Sequence, residues 1–235
     1  MFIEVSFPLK DQRFTSHDTG STVCGKFFMM KVTIIVVLFL CSIVFLRSAN
    51  AHVPIMEESD FSQSEPFLLE PPLKKSRAIY GWLQSDTDID VYTFEIKEPV
   101  RLRAFSLVPV CPDYEDFLPA FAVIGPGLTI PENPLPFRLP EGYGAAVINN
   151  LSPGVKRNTF FEPFTNKNYY RGPAFDQLIA TPGTWYVYYW DPSGQAGDYV
   201  AVFGFAERFS FSDIMQALIN TPKIWFDREL HIDCP

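Results

Sequence analysis

The chain has 235 residues, of which 47% are hydrophobic and 16% aromatic, with 21 prolines and a formal charge of −8. Residues 52–235 alone carry 14 basic and 24 acidic side chains, a net charge of −10. With no basic run longer than Lys74-Lys75, a surface this acidic repels phosphate backbones, so nucleic acid is excluded as a partner.

Residues 1–29 show no helical or strand period. From Met30-Lys31 the chain runs through an apolar stretch, Val32 to Leu46, to a small-x-small site at Ala49-Asn50-Ala51. That pattern is a secretory signal peptide over 30–51, with 1–29 an over-extended start. Cleavage makes His52 the new N-terminus and leaves Cys111 and Cys234 as the remaining cysteines. The alternative keeps 1–29 as a cytoplasmic tail and leaves the protein anchored through uncleaved residues 32–46. An apolar run of about 15 residues is short against the roughly 20 a span requires. The expected location is periplasmic or extracellular, with membrane contact only through an uncleaved signal segment.

Residues 52–76 read as an irregular lead-in, because Pro54, Pro66, Pro71 and Pro72 oppose pairing and Glu57-Glu58-Ser59-Asp60 reads as a solvated acidic run. A β domain over 77–209 follows. Strands are predicted at 78–83 and at 91–96, where Tyr92, Phe94 and Ile96 alternate with Thr93 and Glu95. A third covers 100–108, with a phase change near Phe105 that suggests a bulge. A fourth, 121–124, ends at Gly125-Pro126-Gly127. The proline-rich stretch 128–183 predicts loops and short strands at 145–148, 158–161 and 175–179. Strong strands at 184–190 and 198–204 flank an Asp191-Pro192-Ser193-Gly194 turn and read as a hairpin. A helix is predicted over 213–220, capped by Ser210 or Ser212, with Ile214, Met215, Leu218 and Ile219 on one apolar face and Thr221-Pro222 as its stop. Residues 210–235 thus form a C-terminal helix and tail. The fold class is all-β: an antiparallel, jelly-roll-like sandwich with one short C-terminal helix.

Two stretches together resemble the bacterial pre-peptidase C-terminal domain. Asp88 to Ile96 is similar to its D-x-D-x-Y-x-F strand, and Pro182 to Tyr189 with Gly197 to Phe203 is similar to its closing pair of strands. The resemblance covers the two ends of the domain and leaves out 109–180. It implies a small β-sandwich serving as an accessory module of a secreted protein, a family in which some members bind calcium or polysaccharide.

Four groups of residues carry candidate chemistry. Cys111 and Cys234 predict a disulfide, given export. His52, as an N-terminal residue offering amine and imidazole, would join His231 at a copper or zinc site; solvated terminal histidines are the alternative. Asp86, Asp88 and Asp90 form an oxygen-rich turn of the kind that holds calcium. Val91 and Lys97 break the EF-hand pattern, and Asp side chains also bond their own backbone in turns. Trp185, Tyr186, Tyr188 and Trp190 place rings on both faces of one strand, either buried by the middle segment or exposed as a carbohydrate platform. No hydrolase, zincin, P-loop or dinucleotide motif occurs. The expected function is therefore a non-catalytic binding or structural module of the envelope or extracellular space, with a protein or carbohydrate partner. The alternatives are a copper or zinc protein and a carbohydrate-binding module.

Overall fold

The computed structural model describes residues 52–149 and 155–234. The expected signal peptide and the segment before it lie outside the described residues. The strands are β1 (Val53–Met56), β2 (Phe67–Leu68), β3 (Arg77–Leu83), β4 (Asp90–Ile96), β5 (Val100–Pro109), β6 (Ala120–Pro126), β7 (Tyr143–Ile148), β8 (Thr159–Glu162), β9 (Lys167–Ile179), β10 (Gly183–Trp190) and β11 (Gly197–Phe203), followed by helix α1 (Phe211–Trp225). One sheet has the order β1-β3-β11-β5-β9-β8 and the other β2-β4-β10-β6-β7.

The pairing is that of a jelly roll. Strand β3 pairs with the last strand, β11, then β4 with β10, β5 with β9, and β6 with β7, all antiparallel. Successive pairs fall in alternate sheets, as when one long hairpin is wound into a two-layer sandwich. Period-two alternation then places Tyr92, Phe94 and Ile96 of β4, and Trp185, Val187 and Tyr189 of β10, in the inter-sheet core. The bulge in β5 is present: its register on β9 slips between Phe105 and Leu107. Before the slip Leu102 and Ala104 face inward; after it Val108 does, while Phe105 and Leu107 pack on the outer face.

Three expectations need correction. First, β10 and β11 do not form a hairpin. Each lies between two other strands, in opposite sheets, and the two meet only across the core, where the Tyr189 and Tyr199 rings stack at 5.1 Å. The intervening turn is pinned at Asp191, whose carboxylate accepts from the backbone N–H groups of Ser193 (2.6 Å) and Leu118 (3.0 Å), turning the chain from one wall to the other. Second, the lead-in is not wholly irregular. Strands β1 and β2 add parallel edges to β3 and β4 respectively, tolerating Pro54 because an edge strand leaves one side unpaired. Third, the helix runs through Pro222 to Trp225. Proline removes one bond in the last turn, but that turn sinks Ile224, fully buried, into the outer-face cluster with Tyr80, Leu107 and Val202. At its start Ser210 Oγ accepts from the Asp213 N–H and the Asp213 carboxylate accepts from the Ser210 N–H, a reciprocal cap.

The helix turns its polar side to the domain. Asp213, Asn220, Thr221 and Ile224 are buried against the domain, whereas Ile214, Met215, Leu218 and Ile219 point to solvent. Polar bonds explain the choice: Lys75 Nζ donates to Asp213 at 2.6 Å, and Asn220 Nδ2 donates to the Pro54 carbonyl at 3.0 Å. Among the described residues no helix is long and apolar enough to cross a membrane.

Candidate functional site

A cleft of about 270 Å³ opens where the end of β1 meets β3 and the C-terminal tail; Glu57, Asp60, Trp82, Arg228, Glu229 and His231 are among its lining residues. Strand β1 delivers Glu57 here because its pairing with β3 continues one step, the Glu57 N–H donating to Tyr80 O at 2.9 Å. The Trp82 N–H in turn donates to Glu57 Oε2 at 2.7 Å. The chain then bends so that Phe61 O accepts from the Val91 N–H at 2.5 Å, which brings Asp60 against the start of β4.

Oxygen atoms of Glu57, Asp60 and Asp90 lie within 4.8 Å of one another. Asp90 is fully buried. Its Oδ2 accepts from the Tyr199 hydroxyl at 2.6 Å, and the Tyr92 and Tyr199 hydroxyls are 2.9 Å apart behind it. Asp90 Oδ1 and Glu57 Oε1 are buried without a protein hydrogen bond. Loss of hydration, followed by the neighbouring Glu57 charge, pushes the Asp90 carboxyl up to about 9, against the opposing Tyr199 bond. Burial likewise pushes Glu57 up to about 7, partly offset by the Trp82 N–H. Glu229, on the cleft wall, is raised to about 7 by burial. Such a group of carboxylates either holds protons or is satisfied by a cation.

The donor set is all oxygen, which suits hard cations and disfavours copper or zinc. Two oxygens bound to one Ca²⁺ at about 2.4 Å lie at most about 4.8 Å apart, so the cluster spacing fits one ion. The Asp86–Asp88–Asp90 reading therefore divides. Asp90 enters the cluster. Asp88 caps its own turn, Oδ2 accepting from the Gln84 N–H (2.6 Å) and Oδ1 from the Ile89 N–H (2.8 Å). Asp86 is exposed. Glu57 and Asp60, read from sequence as solvated, are the partners that reading missed. Nothing local marks them, because their approach to Asp90 depends on where β1 docks.

The structure does not bring His52 and His231 together. Nδ1 of His52 lies 2.5 Å from Ser76 Oγ, at the start of β1. Burial, then the Arg103 and Arg171 charges, lowers its pKa to about 4, so the ring is neutral. His231 lies at the other end of that edge, stacked on Trp82 with ring centroids 3.8 Å apart. Ser76 and Trp82 are six residues apart on extended chain, roughly 20 Å. Nδ1 of His231 is 2.6 Å from Asp198 Oδ1, while Asp198 Oδ2 accepts from the His231 N–H at 2.9 Å and the Tyr114 hydroxyl at 2.5 Å. Holding this tail, Cys111 and Cys234 form a disulfide with Cα atoms 5.5 Å apart.

The aromatic strand is not an open platform. Trp185 faces the core, its ring over Gly125, where no Cβ would fit. Tyr188 and Trp190 are buried on the outer face beneath Phe137, at 4.7 and 5.3 Å, and Tyr186 is half-buried beside Tyr143. The loop between β6 and β7 thus removes the surface a sugar would stack on.

No family model matches this chain, and no curated protein matches it. Among solved structures it is similar to the pre-peptidase C-terminal domain of collagenase from Bacillus anthracis, at 14% identity over 66% of this chain and 95% of that one, with a TM-score of 0.29. This is the family that the motifs at 88–96 and 182–203 resemble.

Proposed function

We propose that this chain is an exported, non-catalytic jelly-roll module that binds one hard divalent cation, Ca²⁺, through Glu57, Asp60 and Asp90. The carrying observation is the convergence of three carboxylates with two buried, unpartnered oxygens, Glu57 Oε1 and Asp90 Oδ1. Export rests on the 30–51 pattern. A bound ion would supply the positive charge those oxygens lack. It would also fasten the 57–60 segment to the first residue of β4, joining an edge of one sheet to the other sheet. The role is structural: the ion holds the lead-in in place beside the cleft, where a protein or carbohydrate partner would meet a fixed surface.

Calcium titration followed by calorimetry tests this reading. One site is expected, with affinity rising from about pH 6 to about pH 8, because the raised carboxyls must release protons to bind. Asp90→Asn and Glu57→Gln should each weaken binding at least tenfold, whereas Asp86→Asn should leave it unchanged. No heat and no thermal shift up to ~10 mM Ca²⁺, above the range of extracellular calcium modules, would overturn the proposal.

A further inference from the structure

Helix α1 carries its apolar side outward. At 100° per residue, Phe211, Ile214, Met215, Leu218, Ile219 and Trp225 fall within an arc of roughly 140°. Their exposures run from 42% at Met215 to 78% at Phe211, and Phe226 just beyond the helix is 71% exposed. A contiguous apolar stripe of this size on a folded domain marks an interaction surface.

Two observations indicate what covers it. The first is charge. Although residues 52–235 are net acidic, the rim of this stripe is not. Asp213 is held by Lys75 and Asp227 by Lys167. That leaves Glu207 against Lys74, Arg208 and Lys223, none of which has an ion pair among the described residues. The second is chain connectivity. Asn220 bonds Pro54 O, so α1 lies on β1. Strand β1 begins at Val53, seven residues past Leu46, the last residue of the apolar run, a span of at most about 25 Å. A chain whose residues 32–46 enter a bilayer, during export or as an anchor, therefore keeps the start of β1 within about 25 Å of the end of that apolar run.

We propose that α1 is an interfacial membrane-docking helix, its apolar stripe seated among the acyl chains of an anionic bilayer and its basic rim at the headgroups. Phe, Ile, Leu and Trp on one face with cations at the margin is the composition that binds in this way. The helix is about 22 Å long and needs no reorganisation, since its polar side is already bonded to the domain. This surface is separate from the acidic cluster and does not depend on the calcium reading.

The test uses protein beginning at His52, which contains the whole core between the two sheets. Flotation with vesicles of phosphatidylcholine, and of phosphatidylcholine with about 30% phosphatidylglycerol, is measured at low and high salt. Binding is expected to the anionic vesicles, weaker at high salt and to the neutral lipid, with a blue shift of Trp225 emission that Trp225→Phe removes. The pair Leu218→Glu and Ile219→Glu should lower partitioning at least tenfold with the melting temperature unchanged, because both side chains are exposed. Lys223→Glu with Arg208→Glu should remove the preference for anionic lipid. Absence of binding to either vesicle overturns the proposal. So does a Leu218-dependent dimer that ignores vesicles, which would assign the stripe to a second copy of the chain.

Discussion

The β10 strand and helix α1 both carry rows of large apolar side chains, yet they end in opposite environments. On β10, Tyr188 and Trp190 would form an open aromatic face, but the loop between β6 and β7 brings Phe137 down on both rings. On α1, Leu218 and Ile219 receive no such cover and are 64% and 60% exposed. The difference arises from what else each element must satisfy. Strand β10 is central, with both edges paired and side chains on both faces, so any covering segment adds apolar burial without disturbing backbone bonds. The helix presents the domain with two polar anchors, Asp213 and Asn220, whose partners Lys75 and Pro54 O lie on the domain surface. Satisfying buried polar groups sets which side faces in, and the apolar side is left outward.

That contrast can be broken at several points. The largest effect is expected at the disulfide that ties the tail following α1 to the loop after β5. Replacing both Cys111 and Cys234 by Ser opens a connection spanning 123 residues. By loop-closure entropy this costs roughly 4–5 kcal/mol, read as a lower denaturation midpoint under non-reducing conditions. If the seating of α1 relies on its polar anchors, the variant keeps its helical circular-dichroism signal at low denaturant.

Phe137→Ala tests the cover over β10. Loss of a half-buried ring packed on two aromatics should destabilise by about 2 kcal/mol and open the outer face of that sheet, read by urea unfolding and increased dye binding. An unchanged midpoint would mean the loop does not protect the aromatic strand.

The acidic cluster gives a pH signature with a definite sign. Glu57 and Asp90 keep their protons in the folded protein to about pH 7 and about pH 9 respectively. The unfolded chain releases them near pH 4. The unfolded state thus binds fewer protons across this window, and cation-free stability should fall as pH rises from about 4 to about 9. Melting temperature measured against pH in chelator reads this directly. Asp90→Asn, which still accepts from Tyr199, should flatten the upper part of the fall. Added Ca²⁺ should do the same in the wild type.

The smallest effect is the counterpart of the second. Leu218→Ser should shift stability by no more than about 0.5 kcal/mol, since the side chain is mostly exposed. A cost near that of Phe137→Ala would show that the stripe is covered in solution.

Much of the strand content was legible from local pattern. The alternation at Tyr92, Phe94 and Ile96 marks a half-core strand, the phase change near Phe105 marks the bulge, and Ser210 or Ser212 marks the helix start, because each depends on neighbours in sequence. The calcium candidate was legible only by one member. Asp90 stood out in its turn, while Glu57 and Asp60 read as solvent-facing charge. The pairing of Cys111 with Cys234 followed from there being only two cysteines past residue 51. The shared histidine site did not survive, since His52 and His231 are held at opposite ends of one sheet edge.

By itself the sequence determined periodicity and punctuation: where most of the strands, and the helix, lie along the chain. Tertiary structure alone decided three things. It sent β10 and β11 to opposite walls, because each strand's flanks were filled by antiparallel partners. It turned the apolar side of α1 outward, because Asp213 and Asn220 found their partners on the domain. It gathered Glu57, Asp60 and Asp90, because docking of β1 on the edge of β3 carries the lead-in to the mouth of the sandwich. Each is a contact between residues distant in the chain, and its energy depends on geometry that no local pattern encodes.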